Sequence, residues 1–427
     1  MAVKSASRQA ATRTQFELFL GKAQKPLGRL IFVKDGQREF SQFAYNEEWL
    51  ADPQFFDISP DLQRQVGYQL RKPPTNNDPC FFLALADTEP DAWGRRVIAR
   101  AHAKARANES SLGPLSAADY LAFVDDFSRV GALRLRDETG TYLRSVANDA
   151  RSTPAFFELE KILLASRAVE MSQETTEDLA YLQGKGTSLG GMRPKCTILD
   201  SDGALSLGKF PSVGDERSVV RGEVLALRLA RLAGIDSAQA RVVMAHDQPV
   251  AMIRRFDRTP EQNRIPYLSG ATLLQARRDD EHSYTEIIDV MRAKCENFVS
   301  DAQQLWRRLV FNFLITNVDD HLQNIGFLYS GNNQWRLAPA FDLNPFPDKS
   351  PESKTWLSED TGPITSINQL IEQAERFALS PTQAQAIIDE VGAAVRRWKE
   401  VAVSQEVGMQ AQDINDFKPA FEHAFTP

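Results

Sequence analysis

The stretch Asn317-Val318-Asp319-Asp320-His321-Leu322-Gln323-Asn324 constrains this chain more than any other. It follows a long amphipathic segment, Ala302 to Thr316, and precedes a strand-like run that ends in Phe341-Asp342. Asp319 stands five residues before Asn324. Phosphoryl-transfer loops need this arrangement: a carboxylate to accept the hydroxyl proton, an amide oxygen five residues on for a metal, and a later Asp for the same metal cluster. Such chemistry rests on positioning and charge neutralisation, so hard oxygen ligands converging on Mg²⁺ are its expected signature. Asp319 is thus the candidate catalytic residue, and Asn324 and Asp342 the candidate metal ligands. The plainer alternative is a polar turn after a buried helix, with Asp320 and Asn324 as caps. The downstream Phe341-Asp342 and a glycine-rich loop upstream favour the catalytic reading. Asn317-Val318 before the Asp, and Leu343 where a Gly is usual, argue against an ordinary eukaryotic-type kinase.

The upstream loop, Gln183 to Lys195, is glycine-rich and basic. Its glycines allow close backbone approach and positive φ, so its N–H groups can cradle phosphates. No Lys-Ser or Lys-Thr closes it, which excludes a Walker loop. Ser188, Gly190, Gly191 and Lys195 are its nucleotide-site candidates. Strand-like Cys196 to Asp200 follows, then a turn at Ser201-Asp202-Gly203, then a return over Leu205 to Phe210. Lys209 on that return would pair the phosphates, with Glu223, at the head of an amphipathic helix, as its ion-pair partner. Lys195 competes for the same role. Arg254-Arg255-Phe256-Asp257 ends an apolar strand and would form a hinge whose backbone bonds adenine, so Arg254 and Phe256 join the candidates. A strand end with solvated charges is the alternative. His321 reads as an orienting hydrogen-bond group rather than a base.

The remainder sets limits. With 427 residues, 42% hydrophobic and 25% charged, the chain is long enough for two or three structural units. A net charge of -7 does not favour whole-protein steering toward nucleic acid. Three distant cysteines, Cys80, Cys196 and Cys295, draw neither a disulfide framework nor a metal site, and suit a reducing cytoplasm. No apolar run approaches the roughly 18 residues of a membrane span. Residues 1–14 are small and polar. Two β-rich runs, 28–33 and 40–45, flank an Asp35-Gly36 turn. Helices are expected over 91–105, 119–127 and 154–166, and mainly helix from residue 272 onward.

Several stretches together resemble the HipA family of bacterial serine/threonine kinases, the toxin halves of toxin–antitoxin pairs. They are Ser188 to Lys195, Gly208-Lys209-Phe210-Pro211, Arg255-Phe256-Asp257-Arg258, Asn317 to Asn324 and Ala338 to Asp342. Gly28-Arg29-Leu30 and Pro90 to Arg96 also look like that family's first subdomain. The resemblance implies an α+β, two-lobe, kinase-like fold with an N-terminal β-subdomain and a mostly helical C-terminal lobe. Its divisions would be 1–24, a flexible N-terminus; 25–150, the N-terminal subdomain; 151–258, the kinase N-lobe; and 259–427, the helical catalytic lobe. It implies ATP and Mg²⁺ as cofactors, Asp319 as the catalytic Asp, Lys209 as the ATP lysine, and Ser188 as a site of autophosphorylation. It further implies an aminoacyl-tRNA synthetase as protein substrate and a small helix-turn-helix antitoxin through which DNA is reached indirectly. Two other classes stay open: a nucleotide-binding corepressor with little turnover, and a kinase acting on a small-molecule or lipid hydroxyl.

Overall fold

The computed structural model describes residues 11–109, 111–144, 156–183 and 191–423. Five strands, β1 (Thr12–Leu20), β2 (Lys25–Asp35), β3 (Arg38–Tyr45), β4 (Gln69–Arg71) and β5 (Leu133–Arg136), form an antiparallel sheet in the order β4-β3-β2-β1-β5. In β3 the side chains of Ser41, Phe43 and Tyr45 point inward, the period of two that a half-buried strand requires. Gly28 lets β2 approach β3 closely, because a Cβ there would sit 2.2 Å from the Ala44 carbonyl oxygen. Thr12–Leu20 was expected to belong to a flexible tail. It pairs instead with β2 on one side and β5 on the other, and it buries Phe16 and Leu18. The partner β5 lies over a hundred residues away, so local sequence carries no sign of the pairing.

The second unit is an antiparallel sheet of β6 (Lys195–Leu199), β7 (Leu205–Lys209), β8 (Ala240–Ala245) and β9 (Gln248–Arg254), in the order β6-β7-β9-β8. The helix Val219–Leu232 packs on β8 and β9. It starts four residues before Glu223, so that carboxylate lies inside the helix and is buried rather than opening it. The third unit is mainly helical, built on Tyr284–Lys294, Phe298–Leu314 and Pro381–Arg396. It also holds a sheet of β10 (Tyr267–Ser269), β11 (Gly326–Gly331) and β12 (Gln334–Leu337), in the order β10-β11-β12. The expected helices near 91, 119 and 154 form with shifted ends, as Ala92–Asn108, Ala117–Phe123 and Leu159–Glu170, the first two capped by Asp91 and Ser116.

One apolar core runs from Phe16 and Leu30 through Leu225 and Leu305 to Phe421. Phe56 of the first unit stacks on Tyr329 of β11, with ring centroids 4.0 Å apart. A second core, including Trp93, Val97, Ile162, Phe210 and Met252, seals the helix Ala92–Asn108 against the β6-β7-β9-β8 sheet. Burial of this kind contributes about 25 cal/mol per Å² of apolar surface, so the N-terminal unit is bound to both lobes. Cys80, Cys196 and Cys295 are free and buried. Among the described residues, no helix is long and apolar enough to cross a membrane.

Candidate functional site

A cavity of 470 Å³ lies where the three units meet. Its floor is set by two tertiary ties. Ala340 N donates to Asp236 O at 2.7 Å and Ala238 N to Ala340 O at 2.8 Å, which pins the strand-like run to the β-lobe. The buried Arg308 guanidinium, on the helix Phe298–Leu314, donates to Ala338 O at 2.7 Å. These bonds deliver Asp342 beneath β7. Lys209 Nζ donates to Glu223 Oε1 and to Asp342 Oδ1, both at 2.6 Å. Burial by itself would lower the Lys209 pKa; the Asp342 and Glu223 carboxylates reverse this and hold it above its ordinary value. Burial likewise pushes Asp342 up, but Lys209 and Lys195 hold it well below the usual carboxylate range. Glu223, the more enclosed partner, sits above its usual range because burial outweighs its share of Lys209.

Asp342 adopts a left-handed backbone, φ 54°. Asp tolerates that conformation better than most residues, but it is still sparsely populated and must be held by its surroundings. Lys209 and Asn344 Nδ2 both bond its Oδ1, leaving Oδ2 without a bond to any described residue. On the facing loop, Asn324 Nδ2 donates to Asp319 O at 2.8 Å, which closes the five-residue loop and turns Oδ1 the other way. Two hard oxygen donors therefore remain, beside a buried cluster of one ammonium and two carboxylates. That set fits Mg²⁺, which takes one or two protein carboxylates or amides and fills its other positions with phosphate and water oxygens. Among the described residues no cluster of three or more His, Cys, Asp or Glu forms a metal cage.

The helix Phe298–Leu314 ends in a sharp turn at Thr316, φ 52°, whose hydroxyl donates to Ala420 O at 3.0 Å. This turn redirects the chain into the Asp319 loop. Asp319 is half-exposed, with His321 Nε2 at 3.9 Å and Lys354 Nζ at 3.6 Å from its Oδ1. Asp320 points the opposite way, into the interior. It accepts from Tyr284 Oη at 2.6 Å and from Lys354 N at 2.6 Å. Burial raises its pKa to about 6 in spite of those donors. The role of Asp320 is larger than the turn cap that its sequence suggests.

Lys195, the rival of Lys209, is buried and faces Asp91 Oδ2 at 3.5 Å. Desolvation lowers its pKa, with Asp91 opposing. A Cβ on Gly191, at φ +97°, would meet Lys195 Nζ at 2.5 Å, so this lysine supports the end of the glycine-rich loop from beneath. Ser188 and Gly190 lie outside the described residues. The hinge candidates divide. Arg254 pairs with Asp202 at 2.5 Å and also borders the cavity. Phe256 lines the cavity beside Phe341, with ring centroids 5.4 Å apart. Arg255, Asp257 and Arg258 form a buried cluster that binds Gly131 N and the Arg129 carbonyl of the first unit. That Arg255-Phe256-Asp257-Arg258 run is therefore partly a structural joint. Its charges are not solvated, contrary to the plainer reading.

Residues 187–398, about half of the chain, match the family model described as the HipA-like C-terminal domain. This chain belongs to the HipA family. Over 95% of its length it superposes on 96% of a Shewanella oneidensis HipA chain, solved with HipB and operator DNA, at a TM-score of 0.68 and 15% identity. That likeness shows a HipA fold. Y4mE of Sinorhizobium fredii is 24% identical over 352 residues, covering 76% of this chain and 78% of Y4mE. A Haemophilus influenzae protein is 26% identical over 188 residues, covering 38% of this chain and 55% of that relative. Both relatives are named provisionally as kinases.

The HipA fold brings Lys209, Gly191, Arg254, Phe256, His321, Asn324 and Asp342 to one cavity, with Glu223 behind Lys209; Asp319 and Lys195 are outside its lining, Asp319 3.9 Å from His321. Sequence reasoning missed the wall supplied by the first unit, where Asp87, Glu89, Asp91 and Arg95 border the same cavity. Asp91 was legible only as the start of a helix and as part of the Pro90 to Arg96 stretch; nothing local announces its contact with Lys195. Lys354 and Tyr284 were missed for the same reason.

Proposed function

We propose that this HipA-family protein is an ATP- and Mg²⁺-dependent protein serine/threonine kinase. The observation that carries the reading is the bridge from Lys209 to both Glu223 and Asp342, in one cavity with Asn324 and His321, the latter beside Asp319. Phosphoryl transfer needs a cation on the phosphates, a carboxylate that anchors that cation, oxygen ligands for a metal, and a carboxylate at the acceptor. Lys209 supplies the first and Glu223 the second. Asn324 and Asp342 would hold Mg²⁺, which neutralises the phosphate oxygens when bound. Asp319, half-exposed beside His321, would orient the acceptor hydroxyl and take its proton. Phe256 and the Arg254 backbone would receive the base, and Gly190, Gly191 and Lys195 the phosphates.

Family likeness extends the proposal to a toxin that phosphorylates an aminoacyl-tRNA synthetase, and to Ser188 as its site of autophosphorylation. It also extends to a small helix-turn-helix antitoxin as partner. The net charge of -7 suits a chain that reaches DNA through that partner rather than directly. The test is incubation of the purified protein with γ-labelled ATP and Mg²⁺, alone and with a set of aminoacyl-tRNA synthetases, beside Asp319→Asn. Label on Ser188 or on a synthetase, absent in the variant, supports the reading. Nucleotide binding without transfer in either protein turns the assignment toward a regulatory module or a non-protein acceptor.

A further inference from the structure

The segment after Asp342 folds back on the Asp319 loop, and it does so through Asp320. Lys354 N and Thr355 N both donate to Asp320 Oδ1, at 2.6 and 3.4 Å, and Thr355 Oγ1 donates to the Asp320 carbonyl at 2.8 Å. Ser353 Oγ donates to Thr355 O at 2.6 Å and accepts from Ile364 N at 2.7 Å. Tyr284 Oη closes the far side of the carboxylate at 2.6 Å. The backbone on each side of Lys354 is thus fixed to the residue next to Asp319. The Lys354 side chain, by contrast, is 61% exposed, and its Nζ lies 3.6 Å from Asp319 Oδ1.

Most surface ion pairs hold two long side chains for little gain, and one reading of Lys354 is such a pair. Its surroundings argue otherwise. Lys209 is held by Glu223 and Asp342, and Lys195 by Asp91, so neither of these lysines pairs with Asp319. Among the described residues, Asp319 has its ion-pair contacts with His321 and Lys354, and Lys354 is the permanent cation of the two. Lys354 has a fixed base and an exposed head paired with Asp319, the combination needed to follow charge that moves during a reaction.

We propose that Lys354 is a further catalytic residue, which neutralises the transferring phosphoryl group from the acceptor side. The proposal rests on the kinase reading above. In the ground state the Lys354 ammonium pairs with the Asp319 carboxylate. The acceptor oxygen then attacks the γ-phosphorus; the new O–P bond forms as the bond from the γ-phosphorus to the β–γ bridging oxygen breaks. The hydroxyl proton passes to Asp319, and ADP leaves with the bridging electron pair. The Lys354 ammonium, held beside Asp319, turns to the phosphoryl oxygens as the reaction proceeds, without losing a proton. Asp320 acts as a positioning residue that holds Asp319 and Lys354 in one frame.

The test compares the unsubstituted full chain with Lys354→Ala, Lys354→Arg and Asp319→Asn. Transfer of label from Mg²⁺–ATP to the protein and to water is measured at saturating nucleotide. Binding of a fluorescent ATP analogue and the folded fraction by circular dichroism are measured alongside. Removing one charge-stabilising donor from a transition state typically costs about 10²–10³-fold in rate, and Lys354→Ala should lose that much while nucleotide affinity stays within about threefold. Lys354→Arg keeps the charge and should recover most of the loss. Transfer by Lys354→Ala within about threefold of the unsubstituted rate, or a rate loss matched by lost nucleotide affinity, overturns the proposal. If the unsubstituted chain binds nucleotide but transfers nothing, the kinase reading falls and takes this proposal with it. Transfer that Asp319→Asn abolishes and Lys354→Ala spares removes the proposal alone.

Discussion

Lys209 sits between two buried carboxylates, and its removal has consequences in the absence of any nucleotide. Breaking a buried ion pair by deleting one partner leaves the other charge uncompensated, at about 3–5 kcal/mol. Lys209→Met should therefore lower the urea midpoint of the unliganded protein, whereas an unchanged midpoint would show that the cluster is solvated. Asp319→Asn should behave differently. Asp319 is half-exposed, so stability should hold while phosphoryl transfer drops by about 10²–10⁴-fold, the usual contribution of a positioned general base. Labelled-ATP transfer alongside thermal melts separates the two outcomes. Asp320 gives a pH test. Its folded pKa is about 6 against an ordinary 3.8, chiefly through burial, so the folded chain keeps the proton where the unfolded chain has lost it. Its contribution thus favours folding below about pH 4 and declines as pH rises to about 6, by on the order of 3 kcal/mol. Asp87, buried against Ser269, is raised to about 6 in the same sense. Asp320→Asn should flatten this decline in urea unfolding between about pH 4 and 7, and parallel curves for the two proteins would reject the assignment.

At the scale of elements, Gly28 offers the sharpest prediction. A methyl group at Gly28 would overlap the Ala44 carbonyl oxygen in the adjacent strand, a backbone atom that cannot turn aside. Gly28→Ala should destabilise by about 1–3 kcal/mol, measured by urea unfolding, and a neutral result would mean that the two strands separate easily. Elements with strong local signals were legible from the sequence. The β2–β3 hairpin shows alternation about an Asp-Gly turn, and the helix Phe298–Leu314 shows one apolar face. The β6–β7 hairpin, which carries Lys209, was equally clear. Less legible was β1, whose first residues, Thr12 to Gln15, are polar, and whose Phe16 and Leu18 enter the core. The β10–β11 pairing was also hidden, because its strands are separated by two long helices. Sequence periodicity reports which face is apolar; it does not report which distant strand will cover an edge.

At the scale of the molecule, the N-terminal unit is part of the cavity wall. It contributes Asp87, Glu89 and Asp91 to the cavity wall, and it shares an apolar core with the helical lobe. A chain beginning at residue 156 would expose Tyr329, lose the Phe56 stack and leave Asp257 without Gly131. Such a chain should fail to unfold cooperatively by circular dichroism, and a sharp transition at the full-length temperature would show the unit to be dispensable. The sequence by itself determined the chemical inventory: an Asp–Asn loop behind an amphipathic helix, a later Asp, a lysine on a hairpin and a glycine-rich approach to it. Those choices are local, since caps, turns and periodicity act over a few residues. Only the tertiary structure set the surroundings of the two lysines apart, giving Lys209 two carboxylates and Lys195 the carboxylate of Asp91. Only the tertiary structure turned Asp320 inward and brought Lys354 to Asp319. Charge pairing depends on distance through space, and chain separation does not encode it.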